Sequence, residues 1–384
     1  MYYNSYMPTK IVFGDGSLNE LHNQVFPGNK AMLVISNGKS TRDNGYLSRT
    51  EEQLALAGVE FFVFDKVEAN PLKATIMNGG NFARKNNCDF IIALGGGSVM
   101  DAAKGMAIMA TNDGDFWDYI QSGTGLGKPI VNNPIPVVAI TTTAGTGSEA
   151  DPVGVVTNPE TKEKPVFAHP NCFPVISIVD PELMCSVPAE FTAYQGFDAL
   201  FHSIEGYVAN TANLITDMYT TTAIQAVSEY LARAVVDGSD LEARTKVAFG
   251  NTLSGIVIAI GALTSQHSLG HAMSGFHQNL PHGAGLIMIS RAYFTHLIEN
   301  HACDDRFVHL AKIMGNANAK EPMDFIKELQ NLMIKCGVSD YGITPEEFED
   351  MAENAISTMG GLFNFDRVKL NVTDCVNIYE KSYK

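Results

Sequence analysis

No CxxC pair occurs in this sequence. Its six cysteines, Cys88, Cys172, Cys185, Cys303, Cys336 and Cys375, fall at irregular spacings. That pattern argues against a zinc knuckle or a disulfide framework and leads us to expect free thiols in a reducing cytosol. Basic charge is scarce. Lys and Arg number 26 against 42 Asp and Glu, a net charge of −16. Nucleic acid and anionic membranes both demand a basic surface, so neither is expected as a partner. No apolar run reaches the roughly 18 residues of a membrane span. The opening residues, MYYNSYMPTKIVFGDG, lack the basic and then apolar stretches of a secretory leader. A cytoplasmic location is expected. The GxGxxG dinucleotide fingerprint is also absent in its usual form.

What is present is ordinary globular composition, 45% hydrophobic and 18% charged over 384 residues, enough for two domains with a large core. In the first half, short apolar runs alternate with amphipathic stretches. KIVFG (10–14), AMLVIS (31–36), FFVFD (61–65), DFIIAL (89–94), PIPVVAI (134–140) and VISIVD (175–180) read as strands. Segments 41–58 and 72–87 between them read as helices. This alternation predicts a parallel sheet with helices on both faces. After Pro181 the periodicity becomes helical throughout. The expected organisation is an α/β domain over residues 1–180 and an all-helical domain over 181–384.

Three loops carry candidate binding chemistry. In FIIALGGGSVMDAAKGMAIMA, a strand turns tightly into a helix. Gly95, Gly96 and Gly97 permit positive φ and close backbone approach, and Ser98 can cap the helix. A helix N-terminus there suits a pyrophosphate. In TTTAGTGSEAD (141–151), Thr142, Thr143, Thr146 and Ser148 offer hydroxyls at a strand's carboxyl end, where open α/β sheets bind ligands. The third loop, VISNGKSTRDNG (34–45), follows the second strand. An acidic residue there would bond a ribose 2′-hydroxyl and repel a 2′-phosphate. This chain has Asn37, Gly38, Lys39 and Ser40 instead, which suit a phosphate, so NADP(H) is favoured with NAD(H) as the alternative. The same composition also suits an ordinary turn.

Four of the ten histidines lie between 267 and 282: His267, His271, His277 and His282. His267 and His271 are spaced i, i+4 and share a helix face. His282, between Pro281 and Gly283, reads as a turn. Asp198 and His202 form a second i, i+4 pair. Carboxylate and imidazole together suit Fe(II) or Zn(II) and leave room for a substrate. A lone histidine on such a helix is more often a satisfied core residue; two paired sets in one helical domain favour a metal site.

Taken in order, GGGSVMDAAK (95–104), TTAGTGSEADP (142–152), GFDALFHSIEGYV (196–208) and the H-x-x-x-H that precedes PHG (267–283) resemble the iron-containing (group III) alcohol dehydrogenases. The resemblance covers essentially the whole chain. It implies a dehydroquinate synthase-like architecture, with the active site in the cleft between an α/β dinucleotide-binding domain and an all-α domain. It implies hydride transfer between NAD(P)(H) and a small primary alcohol or aldehyde, or a diol or hydroxyaldehyde, with Fe(II) or Zn(II) as Lewis acid. It maps the metal ligands onto Asp198, His202, His267 and His282. His271 falls near the substrate as proton relay or positioning group. Gly96, Gly97, Ser98 and Asp101 fall at the coenzyme, as do Asn70 beside Pro71 and Lys164, with Lys162 close by. A homodimer is the family expectation. The chain departs from the family in having eleven steps, not ten, between His271 and His282. The extra residue is expected in the SGFHQN turn and makes His277 a competitor for the fourth ligand. Two other readings stand beside this one: a glycerol dehydrogenase-like or dehydroquinate synthase-like member of the same fold, and a non-catalytic nucleotide-binding scaffold.

Overall fold

The computed structural model describes residues 5–337 and 344–383. All six expected apolar runs form strands of one sheet: β1 (Lys10–Phe13), β2 (Lys30–Ser36), β3 (Glu60–Val67), β4 (Phe90–Gly95), β5 (Val137–Thr141) and, after a short antiparallel hairpin of β6 (Val153–Val155) and β7 (Val166–Ala168), β8 (Ile176–Val179). The strand order is β1-β8-β5-β4-β2-β3, and every pairing is parallel. The central strands are apolar at nearly every position because both faces are covered. Ile91 and Ala93 face one core with Met106 and Phe116, whereas Ile92 and Leu94 face the other with Leu47 and Leu54. The β6–β7 hairpin escapes the sequence reading because three-residue strands carry no measurable alternation.

Four helices connect the strands: α1 (Ser40–Asp43), α2 (Tyr46–Ala57), α3 (Lys73–Lys85) and α4 (Gly97–Met109). The segment read as one helix over 41–58 is two, because the chain turns at Gly45 with φ 73°. After β2 the chain adds β3 on one side and then crosses back to place β4 on the other. The strand order therefore reverses between β2 and β4, and in open α/β sheets the crevice at the carboxyl ends of such a pair is where ligands bind. Gly95 at the end of β4 lies opposite Thr141 at the end of β5. The glycine-rich turn and the threonine-rich loop consequently emerge side by side.

Beyond Val179 all the regular described elements are helical. They are α5 (Ala189–Val208), α6 (Leu214–Val236), α7 (Leu241–Ile260), α8 (Ser265–Phe276), α9 (His282–Glu299), α10 (Asp304–Ile313), α11 (Met323–Cys336), α12 (Phe348–Met359) and α13 (Val372–Ser382), with short 3-10 turns between some of them. They share one core, in which Phe197, Phe201, Phe294, Phe307 and Phe325 are fully buried. Among the described residues no single helix is long and apolar enough to cross a membrane.

Candidate active site

Asp198 and His202 project from one face of α5, and His267 and His271 from one face of α8. His282 is the first residue of α9, with Pro281 as its N-cap, so the expected turn is a helix start instead. Pro281 suits this role because its fixed φ is compatible with helix entry. All five side chains line a single cavity of about 280 Å³. His277 does not. It is the C-cap of α8 and pairs with Glu347 at 2.8 Å. Half of the SGFHQN segment is thus helix, with Ser274, Gly275 and Phe276 forming the last residues of α8.

Asp198 Oδ1 is the centre of the cluster. It lies 3.7 Å from His202 Nδ1, 3.4 Å from His267 Nε2 and 3.6 Å from His282 Nε2. Donor atoms of Asp198, His267 and His282 all fall within 4.8 Å of one another. The His202 ring stacks on His267 with centroids 4.2 Å apart. Asp198 Oδ1, His202 Nδ1 and His267 Nε2 are buried without a hydrogen-bond partner among the described residues, as is His282 Nδ1. Unsatisfied buried polar atoms are costly, by about 1–3 kcal/mol each. Donors spaced like these fit an ion with bonds near ~2.1 Å. One carboxylate and three imidazoles suit Fe(II) or Zn(II).

The electrostatics agree with ligation by His202 and His282. Burial pushes His202 down to about 4, despite the opposing pull of Asp198. Burial and then the Lys164 charge hold His271 and His282 well below the ordinary imidazole value. These rings are neutral at pH 7, which is the ligating form. His267 is different. Burial would lower it, but the Glu205 and Asp198 carboxylates outweigh that and raise it to about 9. His271 Nδ1 donates to the Lys164 carbonyl oxygen at 2.9 Å. A carbonyl can only accept, so Nδ1 carries the hydrogen and Nε2 is the basic nitrogen.

The α/β half supplies Asn70, Ser98, Asp101, Ser148 and Lys164 to the same cavity. Asn70 has φ 55°, a left-handed conformation that asparagine tolerates. Its side-chain Oδ1 accepts from Lys164 Nζ at 2.9 Å, its side-chain Nδ2 donates to Gln278 O at 3.1 Å, and its backbone N–H donates to Ser98 Oγ at 3.3 Å. Burial lowers Lys164 to about 8. Lys162 instead lies on the exposed turn of the hairpin, over the Phe276 ring. Ser98 is not the cap of α4; Gly96 is, and Ser98 sits in the first turn. None of Gly95, Gly96 and Gly97 has positive φ. Here glycine supplies space: a Cβ on Gly96 would lie 2.8 Å from Thr143 Oγ1, and one on Gly97 would lie 2.3 Å from Thr146 Cγ2.

Thr142 and Thr143 do not line the cavity. The Thr142 N–H bonds Gly95 O, and Thr143 packs over Gly96. Ser148 is fixed by a buried network that the sequence reading missed. Lys104, fully buried in α4, donates to Ser148 O, Ser148 Oγ and Val153 O at 2.7–2.8 Å and to Asp151 Oδ1 at 3.1 Å. Asp101 accepts from Ser148 Oγ at 2.8 Å and from the Val155 N–H at 3.1 Å. Burial raises Asp101 to about 6, with Lys104 opposing. Gly38, Lys39 and Ser40 are exposed beyond the carboxyl end of β2, and Lys39 makes no ion pair among the described residues. Nearby, Arg42 pairs with Asp65 at 2.9 Å.

The helical half closes the cavity with Ile258, Leu263, Met359, Leu362 and Phe365. The stretch at 258–263 comprises the end of α7 and the three residues after it. The stretch at 359–365 was not anticipated. Asp366 anchors it, accepting from Tyr293 Oη at 2.6 Å and from the Ser265 N–H at 3.3 Å.

Comparison with known proteins gives a consistent result along the chain. Residues 8–181 match the family model for iron-containing alcohol dehydrogenase, and residues 192–383 match the model for the C-terminal part of the Fe-containing alcohol dehydrogenase family. The chain is 34% identical to 1,3-propanediol dehydrogenase of Klebsiella pneumoniae, over 94% of this chain and 93% of that one. It is 32% identical to NADPH-dependent butanol dehydrogenase of Clostridium saccharobutylicum, over 90% and 89% of the two chains. The crystal structure of an archaeal halo-thermophilic alcohol dehydrogenase from a Red Sea brine pool superposes with a TM-score of 0.94 at 33% identity, covering 100% of this chain and 99% of that one.

Proposed function

The chain belongs to the iron-containing alcohol dehydrogenase family, and from that premise we propose which of its residues bind metal, coenzyme and substrate. It is a metal-dependent alcohol dehydrogenase using NAD(P). In our reading Asp198, His202, His267 and His282 hold the ion, with iron preferred and Zn(II) accommodated by the same donors. The observation that carries this is the convergence of three imidazole nitrogens on Asp198 Oδ1. When bound, the metal supplies Lewis acidity toward the substrate oxygen, and the nicotinamide supplies or accepts the hydride.

The remaining residues orient reactants and move the proton. His271 gives or takes the proton at Nε2, since its Nδ1–H is committed to Lys164 O. The N-terminal N–H groups of α4, at Gly96, Gly97 and Ser98, receive the pyrophosphate. Asn70, Asp101 and Ser148 line the coenzyme cleft around it, with Thr142 and Thr143 packed behind the glycine-rich turn. Lys164, whose ammonium is buried beside Asn70, offers positive charge to the anionic coenzyme. Gly38, Lys39 and Ser40 select NADP(H) over NAD(H) through the 2′-phosphate.

The walls at Ile258, Leu263, Met359, Leu362 and Phe365 exclude water and offer no partner for a second hydroxyl. The substrate in this reading is an unbranched aliphatic aldehyde or alcohol rather than a diol. Residues 1–180 and 181–384 form the two domains of a cytoplasmic homodimer in this reading. The six cysteines, none of them paired, suit a reducing compartment.

The test is a panel of aldehydes of two to six carbons, with and without a distal hydroxyl, assayed with NADPH and NADH by loss of reduced-nicotinamide absorbance. Turnover should require added Fe(II) or Zn(II), prefer NADPH and prefer the unsubstituted chains. Full turnover by the metal-free protein would remove the metal from the mechanism. A preference for hydroxylated substrates would overturn the reading of the apolar wall.

A further inference from the structure

Glu205 is a buried carboxylate that the reading above leaves without a role. It lies on α5, seven residues after Asp198 and three after His202, and so shares their helix face. It is fully buried, and His267 is its only ion-pair partner among the described residues. Its two oxygens have different duties. Oε1 meets His267 Nδ1 in a short contact. Oε2 accepts from the Thr264 N–H at 3.0 Å, from Thr264 Oγ1 at 3.0 Å and from the His267 N–H at 3.4 Å. Thr264 is the N-cap of α8 but makes no side-chain cap of its own, so Glu205 caps α8 from a neighbouring helix.

We propose that Glu205 is a positioning residue for the metal, fixing His267 in the Nδ1–H tautomer so that Nε2 presents its lone pair beside Asp198. The inference rests on the reading that His267 is a metal ligand. An ionised carboxylate can only accept, so the shared hydrogen belongs to His267 Nδ1. The opposite nitrogen is then the ligating one, and it lies 3.4 Å from Asp198 Oδ1. A carboxylate in this place also raises the basicity of the ligating nitrogen. It adds a second negative charge to that of Asp198, so the pair balances a divalent ion in a site cut off from water.

Glutamine separates this role from capping. Three donors face Oε2 and one faces Oε1, so the amide oxygen of Glu205→Gln goes to the Thr264 side and preserves the cap. Its NH2 then faces His267 Nδ1, which must become the acceptor. That moves the ring hydrogen to Nε2, the wrong nitrogen for a ligand. Thr264→Val is the complement, removing one cap bond while leaving the Glu205–His267 contact.

The experiment measures Zn(II) affinity by chelator competition, and thermal unfolding of the metal-free form, for wild type, Glu205→Gln, Thr264→Val and His267→Ala. Glu205→Gln should lose about 10–100-fold in Zn(II) affinity, the range typical of partners behind a histidine ligand, while keeping its unfolding midpoint near wild type. Thr264→Val should lower the midpoint and keep the affinity. Affinity lost in His267→Ala but unchanged in Glu205→Gln would overturn the positioning role alone. Affinity unchanged in both would show that the donor set itself is wrong. Equal losses of affinity in Glu205→Gln and Thr264→Val would reduce Glu205 to a helix cap.

Discussion

Gly147 and Gly255 meet backbone against backbone, so that a Cβ on Gly255 would lie 2.1 Å from the Gly147 carbonyl oxygen. Gly147 has φ +65° and donates its N–H to Asn251 Oδ1 at 2.9 Å. The loop that carries Thr146 and Ser148 is thereby seated directly on α7. Gly255→Ala must push the two apart. The expected cost is about 1–3 kcal/mol, as for other overpacked sites, together with a raised KM for the coenzyme. Urea unfolding and steady-state kinetics check this; wild-type values for both would mean that the loop yields without consequence.

Two histidines compete in sequence for the last metal position, and their surroundings differ. His282 faces Asp198, whereas His277 pairs with Glu347 outside the cavity. His282→Ala should lose bound metal almost completely, and His277→Ala should retain it. Metal content by mass spectrometry after loading and desalting decides between them. The reverse pattern would put His277 in the donor set.

Glu149 provides a pH-dependent stability that is independent of the coenzyme. It is fully buried, and Oε1 accepts from Asn251 Nδ2 at 2.9 Å and Thr252 Oγ1 at 2.8 Å, while Oε2 has no partner among the described residues. Burial raises the carboxyl from its ordinary 4.5 to about 7. The folded state therefore holds the proton more tightly than the unfolded state. The associated stability is fully present below about pH 4.5 and is lost as pH rises through about 7. Glu149→Gln keeps the shape without the ionisation, so its advantage over wild type should grow by roughly 3 kcal/mol from acid to alkaline pH. Denaturant titrations of both proteins across that window measure the difference; parallel curves would show that Glu149 does not titrate there.

The loop beyond β2 is where coenzyme preference is tested. Gly38 is exposed, and Lys39 makes no ion pair among the described residues. Gly38→Asp would place a carboxylate where a 2′-phosphate is expected and should lower kcat/KM for NADPH about tenfold or more relative to NADH. A wild-type enzyme that already favours NADH would mean that the loop has been misread.

Much of this architecture could be read before any coordinates. Runs such as FIIAL and VVAI are apolar at every position because the sheet is covered on both faces, and nothing else of that length competes with a strand. The histidine pairs were visible because i, i+4 spacing on a helix is a geometric fact. Glu205 carried the same kind of signal, continuing the Asp198–His202 face at i+7, but its partner Thr264 lies 59 residues away and left no local mark. The wall at Met359, Leu362 and Phe365 looks like any core segment; the packing of α12 on α8 brings it to the site. The glycines of the GGGS turn were noticed for the wrong reason. Positive φ was expected, whereas the crowding by Thr143 and Thr146 that makes them necessary comes from a loop nearly 50 residues later.

The proposed donors on α5, α8 and the first turn of α9 make the metal position depend on the docking of three helices. Asp198 and His282 are separated by two long helices and a third that holds His267. The first two proposed donors, Asp198 and His202, share α5, and the other two follow on α8 and α9. A complete donor set exists only once α9 has docked. A bound ion would therefore report that the helices of the C-terminal half have docked on one another.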